Sequence, residues 1–97
     1  MLAIFLFSLQ ISAQDRGSVK GSVVEFAGSG GGIPGVNIYL EGTTLGTQTD
    51  SLGRFQLSNI PFGRYKIVAS MVGYTPFIDF LDVDKQAKNL AIRLAED

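Results

Sequence analysis

Residues 54–72 read RFQLSNIPFGRYKIVASMV, and apolar and polar side chains alternate along most of this stretch. Phe55 and Leu57 alternate with arginine, glutamine and serine, and Tyr65 and Ile67 are separated by a lysine. A period of two turns one set of side chains toward a core and the other toward water, as in a half-buried strand. The stretch therefore predicts two strands and no helix.

Turn-forming residues lie between and before these two strands. In the segment 59–63, we expect Pro61 to fix φ and Gly63 to take the strained position of a turn. Before the first strand, Asp50 can bond the backbone of its own turn, and Gly53 follows where a positive φ costs little. Both segments predict tight connections between strands.

Similar alternation recurs along the rest of the chain after residue 17. The further predicted strands are 18–25, 36–40, 45–49, 77–83 and 90–94. Seven short strands separated by turn signals predict an all-β, seven-stranded antiparallel β-sandwich. The aromatic residues expected in its core are Phe55, Tyr65, Phe77 and Phe80. The glycine-rich patch at 27–32 is interpreted as a mobile surface loop.

The composition excludes several kinds of chemistry. The chain has no histidine and no cysteine, so imidazole catalysis, thiolate chemistry, disulfides and Cys/His zinc sites are all excluded. Its net charge of −1 argues against a nucleic-acid partner. The spacing Gly30-x-Gly32-x-x-Gly35 matches a dinucleotide fingerprint in form only, because Pro34 lies inside it and a strand follows. We predict no catalytic, cofactor-binding or metal-binding residues, and no cofactor.

A few polar and aromatic side chains are candidates for a site. The acidic residues Asp79, Asp82 and Asp84, with Asp50, do not have the spacing of a calcium loop, and are interpreted as solvated. Tyr74 follows a glycine, and two interpretations stay open for it. Its hydroxyl bonds a nearby carbonyl as a structural corner, or its ring faces a partner.

The N-terminal segment is interpreted as an export signal. Residues 1–9 read MLAIFLFSL, and small residues follow at Ser12 and Ala13. The apolar run is too short to span a bilayer but suits the central region of a signal peptide. We predict a signal peptide at 1–13 and one domain at 14–97, with no membrane insertion by this segment.

An ordered series of short motifs carries a family resemblance. The motifs are VKGSVV at 19–24, IPGVNI at 33–38, GTTLGTQTD at 42–50, SLGRF at 51–55, NIPFGRY at 59–65 and SMVGY at 70–74. The series resembles the carboxypeptidase-regulatory-like domain, especially the version at the N-terminus of SusC-type TonB-dependent outer-membrane receptors. The resemblance implies an immunoglobulin-like or transthyretin-like Greek-key sandwich that is not an enzyme.

The resemblance also implies a location and partners. The chain would be an exported periplasmic module associated with the outer membrane, either part of a receptor or free-standing. Its partners would be protein surfaces of the receptor plug and barrel or of the TonB apparatus. The alternative is a structural, adhesive or glycan-binding sandwich of another surface or periplasmic protein, with Tyr39 or Tyr74 as a stacking platform.

Overall fold

The computed structural model describes residues 15–27 and 30–97, and within these ranges the chain forms seven strands and no helix. The predicted signal peptide at 1–13 lies outside the described residues, as do Gly28 and Ser29 of the glycine-rich patch. The strands are β1 (Arg16–Glu25), β2 (Asn37–Leu40), β3 (Gly46–Gln48), β4 (Arg54–Pro61), β5 (Gly63–Ser70), β6 (Phe77–Val83) and β7 (Lys88–Leu94).

The strands form two packed sheets. One has three strands in the order β4-β1-β7, and the other has four in the order β3-β2-β5-β6. The chain crosses between the sheets four times, after β1, β3, β4 and β6. Four of the five strand pairings are antiparallel, whereas β1 and β7 pair in parallel. The all-β, seven-stranded sandwich predicted from the alternation is confirmed.

The core lies between the sheets and is built from every second residue of the strands. In β2 and β4, exposed and buried residues alternate almost throughout, as the period of two requires. Fully buried side chains come from both sheets, so each sheet covers the apolar face of the other. They include Val19, Val23, Ile38, Leu40, Ile60, Ile67, Ile92 and Leu94.

The connection between β4 and β5 differs from the predicted turn at 59–63. β4 continues to Pro61, and only Phe62 separates it from β5. Asn59 has a φ of 59°, and the register against β1 shifts between Gly17 and Val19. A β-bulge therefore bends β4 here, and asparagine tolerates the left-handed conformation that the bulge needs. The tight connection predicted at 59–63 is confirmed, with a φ of 155° at Gly63, but the bulge lets β4 continue to Pro61 where local residue preferences indicate a break.

The last glycine of the patch at 27–32 has a packing role. Gly32 pairs with Val24 outside the named strands, and a Cβ atom on it would collide with the carbonyl oxygen of Leu52. A Cβ atom on Gly31 would meet nothing within 4 Å. Interpreting the patch as a mobile surface loop is therefore wrong at Gly32, since its missing side chain lets two backbone segments approach closely.

A buried threonine fixes the crossing into β2. The Thr49 hydroxyl donates to the Ile33 carbonyl at 2.7 Å and accepts the Val36 N–H at 2.8 Å. Thr49 is the single polar residue that is buried within residues 15–27 and 30–97. Its two hydrogen bonds satisfy backbone groups that would otherwise be buried without partners.

The predicted turn before β4 is confirmed in detail. The Asp50 carboxylate accepts hydrogen bonds from the backbone N–H groups of Arg54 and Leu52, each at 2.9 Å. Gly53 has a φ of 81°, the conformation that glycine adopts most cheaply. The N–H groups of Arg54 and then Leu52 hold the pKa of the Asp50 carboxyl below its ordinary value of 3.8.

Candidate interaction surfaces

The outer face of the four-stranded sheet carries an apolar cluster, here called the aromatic patch, formed by Tyr39, Val68, Ile78 and Phe80. Val68 lies opposite Tyr39 on β2 and opposite Ile78 on β6, so the three side chains form a row across the sheet. Val68 is only 4% exposed although it is not part of the core between the sheets. The neighbouring side chains of Tyr39 and Ile78 cover Val68, so this face of the sheet is partly apolar.

Phe80 does not occupy the predicted core position. Its side chain is 56% exposed, as is that of Ile78, whereas Phe55 is buried as predicted and Tyr65 and Phe77 are partly buried. The prediction for Phe80 is wrong because β6 places Leu81 and Val83 on the core side, which leaves Phe80 on the opposite face. The outward-facing Phe80 ring is a main component of the aromatic patch.

Two cationic side chains lie over the Phe80 ring. The Arg64 guanidinium carbon is 4.5 Å from the ring centroid and the Lys66 ammonium nitrogen is 5.8 Å from it. Arg64 also forms an ion pair with Asp82, with 3.5 Å between Nε and Oδ1. Cations within about 6 Å of an aromatic face are attracted to it, so these contacts orient the ring and rim the patch with charge.

A shallow polar depression adjoins the patch beside Tyr39, whose side chain is 41% exposed. The Gln48 amide donates to the Asn37 side-chain oxygen at 2.9 Å, and Thr44 and Ser70 also line this depression. Amide and hydroxyl groups beside an exposed ring offer both hydrogen bonds and an apolar contact. The depression therefore combines hydrogen-bonding groups with an exposed aromatic ring.

The outer face of the three-stranded sheet has the opposite character. A shallow cleft of about 460 Å³ lies along it, lined by groups such as Lys20, Asp50, Gln56 and Asn89. The basic side chains that alternate onto this face are Arg16, Lys20, Arg54 and Arg93. Since Asp50 lies near Arg54 at 4.0 Å, the face has an excess of positive charge in a chain whose net charge is −1.

The two candidate tyrosines lie in different surroundings. Tyr39 is on the aromatic patch, whereas Tyr74 packs against the core and its hydroxyl donates to the Glu25 carboxylate at 2.8 Å. That hydrogen bond raises the pKa of the Tyr74 hydroxyl above its ordinary value of 10.0. Tyr74 thus has a structural environment, but the predicted bond to a nearby carbonyl is wrong, because the hydroxyl reaches the Glu25 carboxylate on β1. Instead, Tyr65 makes the carbonyl contact, to Pro61 at 2.6 Å.

The acidic residues weighed as calcium ligands are each bonded to nearby protein groups. Asp79 accepts the N–H of Phe80, Asp82 pairs with Arg64, and Asp84 pairs with Lys88 at 3.3 Å. The Gln86 N–H, more than Lys88, holds the pKa of the Asp84 carboxyl below its ordinary value. In the part of the chain that the structure describes, no group of three or more acidic residues is arranged to hold a metal ion.

The arrangement offers contact surfaces and strand edges for binding. No helix within residues 15–27 and 30–97 is long and apolar enough to cross a membrane. Alternation in the sequence places Val68 on the outward face of β5, but the aromatic patch depends on the register of three strands. Apolar residues occur at both odd and even positions of β5 and β6, and this pattern could have indicated a second apolar face.

Comparison with known families gives one match that covers most of the chain. A family model described as the CarboxypepD_reg-like domain matches residues 19–97. Among curated proteins, none has a sequence significantly similar to this chain.

Solved structures of low sequence identity share the fold. A chain in the type II cohesin–X-dockerin complex of Acetivibrio cellulolyticus has a TM-score of 0.68 and 19% identity, with 79% of this chain and 56% of that chain covered. The major pilin subunit of Bacillus cereus has a TM-score of 0.66 and 17% identity, covering 80% and 29%. A minor pilin of Streptococcus agalactiae has a TM-score of 0.66 and 16% identity, covering 87% and 46%. The chain thus spans between 29% and 56% of the length of these three proteins.

Proposed function

Because the chain belongs to the CarboxypepD_reg-like domain family, we propose that it is a non-catalytic, exported accessory module that acts through protein–protein contacts. Its most specific form is the N-terminal extension of a TonB-dependent outer-membrane receptor, located in the periplasm. In that role it would bind the receptor plug or the TonB apparatus and so modulate nutrient uptake.

The aromatic patch is the observation that carries this proposal. Tyr39, Ile78 and Phe80 expose large apolar side chains around the buried Val68 on a single sheet face. Contiguous exposed apolar surface with a charged rim is typical of protein interaction sites, and aromatic residues with arginine are enriched in them. The surrounding residues supply the polar rim, with Arg64 and Lys66 beside Phe80.

The test is a titration of the full chain against two separate probes, the periplasmic domain of TonB and a receptor plug domain. We expect saturable binding to at least one of them. The double variant Ile78→Ser with Phe80→Ser is expected to weaken that binding by about tenfold or more, because interface energy concentrates in a few aromatic anchors.

A matched control removes exposed apolar surface elsewhere. Leu52 is 60% exposed in the turn before β4, away from the patch, so Leu52→Ser is expected to leave binding unchanged. If neither probe binds, the receptor role is wrong. If both serine variants weaken binding equally, the patch is not the contact surface.

The second candidate is an adhesive, glycan-binding module, favoured by the polar depression beside Tyr39. The Asn37–Gln48 amide pair and the adjacent ring are the groups that would contact a sugar. Under this alternative, a glycan array gives binding that Tyr39→Ala abolishes and that Tyr74→Phe leaves intact, because Tyr74 is engaged by Glu25. A blank array contradicts it.

A further inference from the structure

The backbone of β7 has no partner strand on one side as far as Arg93, beyond which the Thr75 N–H bonds the Ala95 carbonyl on that side. The N–H of Phe26 donates to the carbonyl of Leu94 at 2.8 Å, so the backbone groups of Leu94 face β1. Backbone direction alternates along a strand, and the groups of Asn89, Ala91 and Arg93 therefore face away from β1. In the described residues, no strand pairs with β7 on that side.

The edge strand of the other sheet, β6, is closed at its middle. The N–H of Glu41 donates to the carbonyl of Lys66 at 2.9 Å, which shows that the Lys66 backbone faces β2. Its opposite residue on β6, Phe80, therefore directs its backbone outward. The Asp79 carboxylate takes that outward N–H at 2.8 Å, and so blocks the position where another strand would bond.

The remaining two edges are also protected. Asp50 bonds both backbone groups of Arg54 at the start of β4, through its own N–H at 2.8 Å and its carboxylate at 2.9 Å. The bulge at Asn59 interrupts the same strand near its other end. β3 has only three residues, too few for a useful template. Within residues 15–27 and 30–97, β7 is the edge that combines length with outward N–H groups none of which is bonded by a side chain, whereas on β6 Asp79 bonds the central one.

The side chains around this edge define what it would accept. Arg93 lies on β7 itself and Lys20 lies opposite Asn89 on β1, both on the outer face. Neither forms an ion pair within the described chain. On the core-facing side, Leu90 is only partly buried, and an added strand could cover it. A segment with acidic side chains outward and apolar side chains inward matches both surroundings.

We infer that the edge of β7 from Asn89 to Arg93 binds an extended acidic segment of a partner protein as an added strand. Main-chain hydrogen bonds would hold the segment, and its alternating side chains would give specificity. This surface differs from the aromatic patch and does not depend on membership of a receptor.

The experiment uses the full chain and two synthetic heptapeptides as probes, acetyl-VEVEVEV-amide and acetyl-VKVKVKV-amide. Nuclear magnetic resonance follows the backbone amides during titration and their exchange with solvent. We expect the acidic peptide to bind about tenfold more tightly than the basic one, because its carboxylates lie beside Arg93, which repels the lysines of the basic peptide. The amides of Asn89, Ala91 and Arg93 should become protected from exchange.

Two proline variants distinguish binding at the β7 edge from binding at the β6 edge. Ala91→Pro removes an outward N–H without breaking the pairing with β1, and is expected to weaken binding by about tenfold. Asp82→Pro is the matched control, since the Asp82 backbone faces outward on β6 by the same alternation as Phe80, and it should leave affinity unchanged. Arg93→Glu should remove the preference for the acidic peptide.

A further probe avoids any dependence on the folding of the proline variant. Backbone N-methylation of the acidic peptide removes its donors while leaving the protein untouched, and should abolish binding. Equal binding of the methylated peptide or of the basic peptide would overturn the inference, as would protection of β6 amides in place of those of β7. If the TonB and plug domains do not bind but the acidic peptide does, the receptor role is rejected and the inference about β7 stands.

Discussion

The two sheets of the sandwich protect themselves in opposite ways. The four-stranded sheet has an apolar outer face with Tyr39, Ile78 and Phe80 exposed, and its β6 edge is closed by Asp79. The three-stranded sheet has a polar, basic outer face, and its β7 edge is open. Each sheet thus has either an apolar outer face or an unblocked long edge strand, but not both. An apolar face beside an open edge would favour uncontrolled pairing, so the division limits self-association while leaving two binding surfaces.

The largest expected effect comes from breaking the crossing that holds the two sheets in place. Gly32→Ala would push a Cβ atom into the carbonyl of Leu52 and should lower the free energy of unfolding by about 3 kcal/mol. Gly31→Ala, one residue earlier and in open space, should change it by less than about 0.5 kcal/mol. Chemical denaturation measures both. Equal effects would show that the close approach at Gly32 is not needed.

A second prediction gives the four-stranded sheet an open edge next to its apolar face. Asp79→Val releases the Phe80 N–H, and we expect self-association to tighten by about tenfold or more. Analytical ultracentrifugation measures the change. Asp82→Val removes the same charge from the same strand without releasing that N–H and should associate less. If both variants associate equally, the negative charge and not the blocked edge is what limits self-association of the protein.

The third prediction compares the two edges in the wild-type chain through amide hydrogen exchange. On β7, the outward amide of Ala91 should exchange at least about tenfold faster than that of Ile92, which faces β1. On β6, the outward amide of Phe80 should be slower than that of Ile78, because Asp79 bonds it. Uniform exchange along β7 would contradict the assigned backbone directions.

The smallest expected effect concerns the turn that closes the edge of β4. Because the Arg54 and Leu52 N–H groups lower the folded-state pKa of Asp50, its contribution to stability is fully present above the ordinary pKa of 3.8. The contribution is lost as the pH falls through the lowered pKa. Wild type should therefore exceed Asp50→Asn in stability at about pH 6, and the difference should shrink by about pH 3. A difference independent of pH would contradict the carboxylate's role.

Local features of this fold could be predicted from the sequence, and features that depend on register could not. The turn at Asp50–Gly53 was predictable because an aspartate and a glycine fix it within four residues. The outward position of Phe80 depends on which face of β6 meets the core, and alternation alone gives two faces without saying which is buried. The parallel pairing of β1 and β7 joins segments far apart in sequence, and no local signal marks it.

The aromatic patch also combines a feature that the sequence predicts with features that depend on strand register. The second apolar face at Val68 was visible in the sequence, but the patch forms only because Tyr39 and Ile78 lie opposite it. Asn59 favoured a turn by residue preference and instead supplies a bulge, since both need the same left-handed backbone. Thr49 gave no signal, because its role depends on the buried carbonyl and N–H groups of Ile33 and Val36.

The parallel alignment of β1 and β7 has a mechanical consequence. Polypeptide enters the described fold at one end of the sandwich through β1 and leaves at the other through β7, with seven matched residue pairs between them. Tension applied at these two points slides the strands along each other, so all the hydrogen bonds of the ladder bear the load together. An antiparallel terminal pair would unzip one bond at a time, and would therefore yield at a much lower force.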